Sequence, residues 1–299
     1  MTTTLYPYDS GRGANRSISF VGDSLTAGTG ATNGLTMPVQ VGLKLPQRVV
    51  LNFGIGGQTY QQIAARQGAT PELVTLSGGA FNGLNAVSVT VVTELLSTQA
   101  DNTTRYISGV LAGVPCFLSR TASGGPPSTT ENYTATPLYS TTAQIAANTP
   151  FYPDDWGGNN SASFIQVYWW GRNNVPTFTG LNAAYDAAIA ALPSPRRFII
   201  IGVLNATTEG IGSGNYNAIV AQNAAIQAEY PSNYVASTPP TAAEMAAISY
   251  TPSAQDLIDI GNGYFPTSMH NTGDTVHLNN IGYSIIALRV ASLIQGMNW

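Results

Sequence analysis

Charge is the scarcest property of this 299-residue chain: Asp, Glu, Lys and Arg together make up 9% of it, against roughly a quarter in an average soluble domain. Its surface must therefore be solvated by neutral polar groups, and Ser, Thr, Asn and Gly are abundant. Lys44 is the one lysine and the formal net charge is −4. No basic stripe is available for nucleic acid or for an anionic membrane surface, so neither is expected as a partner. Cysteine is nearly absent as well. Cys116 alone cannot close an intrachain disulfide, and two histidines are too few for a Cys/His zinc cluster, so no metal is expected. The apolar neighbours of Cys116 (Val114, Pro115, Phe117 and Leu118) mark it as a buried structural thiol. No apolar run approaches the roughly 18–20 residues that span a bilayer, so no membrane insertion is expected. Residues 1–16 carry neither the basic region nor the apolar core of a secretory signal.

What is present is an alternation of β-prone and helical segments, in a chain long enough to bury a full core without metals or disulfides. Residues 17–21 form a β-prone run that ends in Gly22-Asp23-Ser24-Leu25. A second run, 48–51, leads into Asn52-Phe53-Gly54-Ile55-Gly56-Gly57, and helix-forming composition follows over 59–66. The run 164–170 is followed by Gly171-Arg172-Asn173-Asn174, and 197–203 is a fourth. Helical patterns cover 182–192, 216–230 and 280–295, the last with Ile281, Ile285 and Leu288 on one face. Such alternation predicts a parallel sheet covered on both sides. Ligands bind beyond the carboxyl ends of the strands in such sheets, which is where three of these glycine-rich turns fall.

Residues 71–160 break the pattern. They hold β-prone runs at 87–92, 106–110 and 116–118, a candidate helix at 93–99, and a Ser/Thr/Gly/Pro-rich stretch at 121–149 that reads equally well as a long loop or as part of a β-rich unit. The expected organisation is a discontinuous core domain, 1–70 and 161–299, interrupted by a β-rich insertion at 71–160.

A serine hydroxyl attacks a carbonyl only if a base takes its proton and an anion binder holds the oxygen left behind. Ser24, in a strand-to-helix turn, suits that role, although a helix cap is the competing reading of Gly-Asp-Ser-Leu taken alone. In Asp274-Thr275-Val276-His277, the three-residue spacing lets the carboxylate reach one ring nitrogen of His277 while the other faces Ser24. His270 has no acid three residues upstream and reads as a loop histidine. Asp23 is expected to organise the turn.

These segments resemble the GDSL/SGNH hydrolase family. Its first block matches Phe20 to Thr26, with Ser24 as nucleophile. The second resembles Asn52 to Thr59 and implies an oxyanion donor at Gly57, with Gly54 as the alternative. The third is similar to Gly171-Arg172-Asn173 and implies Asn173 as side-chain donor beside the Ser24 N–H. The last matches Asp274 and His277, as orienting acid and base. The resemblance covers residues 18–66 and 164–293. Asn174 stands where the family often has Asp, and the interval between the second and third blocks is unusually long. The implied fold is a flavodoxin-like three-layer α/β/α sandwich with a mainly parallel five-stranded sheet, and the implied reaction is ester hydrolysis without a cofactor.

Trp170 and Arg172 flank the expected catalytic edge and are candidates for substrate contact, one of Trp169 and Trp170 facing the core and the other the cleft. Asp154-Asp155-Trp156 reads as an exposed turn, with sugar stacking as the alternative. The uncharged surface and the insertion tilt the expected substrate towards an acetylated saccharide in an extracellular or virion-associated setting. A general short-chain esterase or acyltransferase, and a virion module with a vestigial site, are the alternatives.

Overall fold

The computed structural model describes residues 17–98, 101–125, 129–154 and 164–299. The buried strand β1 (Ile18–Gly22) leads into a one-turn helix, α1 (Ser24–Ala27). Helix α2 (Met37–Lys44) starts where the Thr36 hydroxyl caps Val39 and Pro38 occupies the first turn, where its missing N–H costs nothing. Next comes β2 (Val50–Gly54), parallel to β1 with Gly54 opposite Gly22. A reciprocal capping box between Thr59 and Gln62 then opens α3 (Tyr60–Gln67), which Gly68 ends in the left-handed conformation.

Six antiparallel strands follow: β3 (Glu72–Leu76), β4 (Val87–Val91), β5 (Arg105–Leu111), β6 (Val114–Ser123), β7 (Thr130–Pro137) and β8 (Thr149–Pro153). They close into a barrel in the order β3-β4-β7-β6-β5-β8, which leaves no open sheet edge. Alternate residues, among them Val74, Ile107, Leu111, Leu118, Ala135 and Phe151, fill its interior. Cys116 lies in that core and is fully buried, which pushes its thiol up to about 12.

The chain then returns to the first sheet with β9 (Ile165–Trp169), α4 (Leu181–Ala190), β10 (Phe198–Ile201), α5 (Gly214–Glu229) and β11 (Tyr234–Val235). Short helices α6 (Ala242–Ala247) and α7 (Ala254–Gly261) precede the long α8 (Asn280–Gly296). The sheet is parallel throughout, in the order β11-β10-β9-β1-β2. Alternate strand residues face opposite ways. Phe20, Val167, Trp169 and Ile201 pack with Val41 of α2 and Tyr283, Ile286 and Val290 of α8. Val21, Tyr168 and Ile200 pack with Ile63 of α3, Tyr185 of α4 and Ile226 of α5.

The structure departs from the sequence expectation in several places. The segment 93–98 is a turn, not a helix, although Leu95 and Leu96 are buried. The polar stretch 121–149 contains β7, whose Tyr133, Ala135 and Pro137 point inward while threonines point out, a pattern that low hydrophobicity conceals. On α8 Ile285 is buried as expected, together with Ile286, Val290 and Ile294, whereas Ile281 is exposed and Leu288 only half-buried.

Candidate active site

Three strand ends converge because β2, β1 and β9 are adjacent. Ser24 follows β1, and Asp23 caps its turn by accepting from the Leu25 N–H at 2.9 Å. Helix α1 is four residues long, too short for an appreciable dipole, so it contributes turn geometry alone. Between Asn271 and Asn279 runs the loop that carries the other two predicted residues. It is pinned where Asn271 N–H donates to the His277 carbonyl at 2.9 Å, and where the Asn279 side chain caps α8 and donates to the Ser268 and His270 carbonyls.

These elements bring Ser24, His277 and Asp274 into one hydrogen-bonded chain. His277 Nε2 lies 2.8 Å from Ser24 Oγ, and its Nδ1 lies 2.6 Å from Asp274 Oδ2. The other carboxylate oxygen of Asp274 accepts the N–H groups of Val276 at 2.8 Å and His277 at 3.0 Å. Partial burial raises the Asp274 pKa, but those two N–H groups and the imidazole outweigh it and hold the carboxyl below its usual range.

Ser24, Thr29, Gly56, Gly57, Arg172, Asn173, Val276 and His277 line an open cleft of about 390 Å³. Gly57 has φ +77, so glycine suits it, and its N–H meets no acceptor among the described residues. Gly54 differs. Its N–H is taken by Asn52 Oδ1 at 3.0 Å, and a Cβ there would lie 2.1 Å from the Ala27 nitrogen, so this glycine serves backbone packing. Asn173 donates to the Gln58 carbonyl at 2.8 Å, tying the turn after β9 to the turn after β2.

Asn174 accepts from the Tyr60 N–H and donates to Gln61, both at 2.9 Å. An amide does both, which a carboxylate could not, and this accounts for asparagine at that position.

The two expected substrate contacts fare differently. Trp170 is fully buried, its indole N–H donating to the Val21 carbonyl at 3.0 Å and its ring stacked on Tyr185, so it presents no surface to a ligand. Trp169 is buried too, on the opposite face, with its N–H on the Gly202 carbonyl. Helices cover both faces of the sheet, so strand alternation sends neither ring into the cleft. Arg172 does line the cleft, but its guanidinium fork is engaged by Glu209 at 2.6 and 2.8 Å and by the Leu204 carbonyl at 2.7 Å. Partial burial raises the Glu209 pKa, but the hydrogen bonds from Arg172 and the Ala206 N–H prevail and hold the carboxyl below its usual range.

His270 lies in the core, with Nδ1 3.0 Å from the Pro266 carbonyl, and burial holds its pKa down. Asp154 is exposed, whereas Asp155 and Trp156 lie outside the described residues. Asp23 is 1% exposed; burial pushes its carboxyl up to about 7 against the pull of the Leu25 N–H and the Arg172 charge. Sequence reasoning missed Glu209 and Gln58, whose contacts depend on residues distant in the chain.

A parallel sheet carrying a Ser–His–Asp hydrogen-bonded chain in a cleft at its carboxyl edge defines a hydrolase of the α/β class. The profile of the GDSL-like lipase/acylhydrolase family matches residues 20–285, and the chain belongs to that family of ester-hydrolysing enzymes. No curated protein matches its sequence. Two solved structures are similar at 11% identity. A candidate lipolytic protein of the G-D-S-L family from Desulfitobacterium hafniense covers 93% of this chain and 99% of its own, with a TM-score of 0.47. A candidate lipase from Chitinophaga pinensis covers 94% and 98%, with a TM-score of 0.43. Among the described residues, no helix is long and apolar enough to cross a membrane.

Proposed function

We propose that the chain hydrolyses short-chain esters through an acyl-enzyme on Ser24. The observation that carries this reading is the Ser24–His277–Asp274 chain, with spacings of 2.8 and 2.6 Å, opening on a cleft that Gly57 and Asn173 also line. His277 Nε2 takes the hydroxyl proton as Ser24 Oγ bonds to the carbonyl carbon. The carbonyl electron pair moves onto oxygen, where the N–H groups of Ser24 and Gly57 and the Asn173 amide hold it. Collapse expels the alcohol, which leaves with the proton carried by His277. Water then repeats the sequence and releases the acid. Asp274 keeps the Nδ1 proton directed at itself and offsets the imidazolium charge. No cofactor takes part.

With p-nitrophenyl acetate, Ser24→Ala is expected to retain less than about a hundredth of wild-type turnover, and Asn173→Ala to lose about 10²- to 10³-fold in kcat with a smaller change in KM. Retention of more than a hundredth by Ser24→Ala overturns the assignment.

The substrate proposed with this mechanism is an O-acetylated neutral saccharide, met in an extracellular or virion-associated setting. Arg172, the one arginine or lysine among the described residues that line the cleft, is already paired, which disfavours an anionic substrate. The barrel also exposes Tyr106, Phe117 and Tyr152, rings of the kind that stack on sugars. Acetate release from acetylated xylan, an acetylated bacterial polysaccharide and O-acetyl sialic acid tests this. Preference for either polysaccharide supports it, while equal rates on these and on small esters favour a general esterase.

A further inference from the structure

Building on that reading, we infer that Gln58 is a positioning residue for the oxyanion loop, and that residues 92–98 of the connector that follows β4 set where that loop lies. Gln58 is fully buried and every polar group of its side chain is engaged. Its Oε1 accepts from Arg66 Nε at 2.9 Å, and its Nε2 donates to the carbonyls of Leu95 at 2.9 Å and Ser97 at 3.0 Å, both in the connector. Its backbone carbonyl is the acceptor for the Asn173 amide. On the other side of Gly57, the Gly56 carbonyl accepts the hydroxyl of Thr98, again from the connector. The residues before and after the donor glycine are therefore fastened to the barrel, and Asn173 is fastened to the same short segment.

The anchors are themselves held. Arg66 is fully buried and also donates to the Phe53 carbonyl at 2.9 Å, at the end of β2. In the connector, the buried Glu72 carboxylate accepts the N–H groups of Val92, Thr93 and Leu95 at 2.7 to 3.0 Å. Buried Arg120 donates to the carbonyls of Thr98 and Asp101, each at 3.4 Å, and of Thr103 at 3.1 Å, and pairs with Glu131. An anion thus gathers the connector's N–H groups and a cation its carbonyls. Fixing the strut matters because an oxyanion donor acts only when already aimed at the developing charge, and a displacement of about 1 Å forfeits much of its effect.

The test uses the full-length enzyme and separates turnover from binding and folding. Gln58→Leu is expected to lower kcat for p-nitrophenyl acetate about 100-fold, and Thr98→Val about 10-fold, with KM within about 3-fold in both. Thr98→Ser keeps the hydroxyl and is expected to restore kcat to within about 2-fold of wild type. Because Gln58→Leu strands the buried Arg66 and could impair folding, Thr98→Val decides if that variant is not recovered folded. Phosphonylation of Ser24 by a p-nitrophenyl phosphonate, whose P=O enters the same hole, is expected to slow in parallel with kcat. Normal kcat and phosphonylation in folded Thr98→Val and Gln58→Leu would overturn the inference, as would a loss explained wholly by the unfolded fraction. Failure of the esterase reading itself is signalled separately, by activity that survives in Ser24→Ala.

Discussion

The parallel sheet and the base of the barrel are stabilised in opposite ways. In the sheet, Phe20, Val21, Val167, Tyr168, Ile200 and Ile201 alternate between two apolar clusters, and the chemistry is relegated to the loops at the strand ends. At the base of the barrel, Arg66, Glu72 and Arg120 are each fully buried, in a chain that is only 9% charged. Burying an ion is costly unless hydrogen bonds replace its water. Both Glu72 oxygens accept backbone N–H groups, while Arg66 and Arg120 donate to backbone carbonyls and to the Gln58 and Glu131 side chains, although Arg66 Nη1 and Arg120 Nε take no part in these bonds. The apolar region tolerates small losses because its energy is spread over many contacts. The ionic junction concentrates its stability in a few groups, so it holds its geometry firmly and fails abruptly.

The largest expected effect tests that contrast directly. Glu72→Leu matches the side chain roughly in size but leaves the N–H groups of Val92, Thr93 and Leu95 without their acceptor. It is expected to cost about 4 kcal/mol, measured as a shift in the urea midpoint. A loss under about 1 kcal/mol would mean that water or a rearranged turn takes over, and the contrast between the regions would collapse. Ile200→Val in the sheet sharpens the same comparison from the other side. It deletes one methylene from a fully buried position and is expected to cost about 1 kcal/mol in the same assay, with kcat unchanged.

The contrast also governs what could be read from the sequence. The alternation of strand and helix and the glycine-rich turns after β1, β2 and β9 were visible, because periodicity and turn chemistry are local. So was the Asp274–His277 spacing. The barrel's closure was not, since β7 is a threonine-rich strand whose inward residues are Tyr133, Ala135 and Pro137, and since strand order in a closed sheet is a tertiary property. Trp170 was misread because alternation along a strand tells which residues share a face, not whether a helix covers it. Glu72, Arg120 and Gln58 carried no signal at all: an isolated charged or amide residue is most simply read as solvated, and only the fold supplies the partners that make its burial affordable.

The smallest effect concerns Asp23, a buried carboxyl on the sheet side, whose Oδ1 accepts from the Leu25 N–H while Oδ2 has no partner. Unlike the Glu72 carboxylate, both of whose oxygens accept backbone N–H groups, it has one oxygen without a partner, and burial accordingly raises its pKa from 3.8 to about 7. The sign of the linkage follows. Below about pH 4 the carboxyl is protonated in both folded and unfolded chains, and its contribution to stability is fully present. As the pH rises towards 7 the unfolded chain releases the proton while the folded protein retains it, so stability falls, and the loss is complete once the folded carboxyl ionises. Other carboxyls act in the reverse sense. Glu244, paired with Arg289 and held down to about 2, contributes stability above its unfolded pKa that is lost as pH drops through its folded one. Measuring the difference between wild type and Asp23→Asn cancels that background, since asparagine keeps the Oδ1 acceptor and cannot ionise. The Tm of Asp23→Asn is expected to gain on that of wild type between pH 4 and 7 and to level off above about pH 7.5. A constant gap across that range would show that Asp23 is ionised throughout, and that the sheet side compensates this carboxylate as the barrel base compensates Glu72.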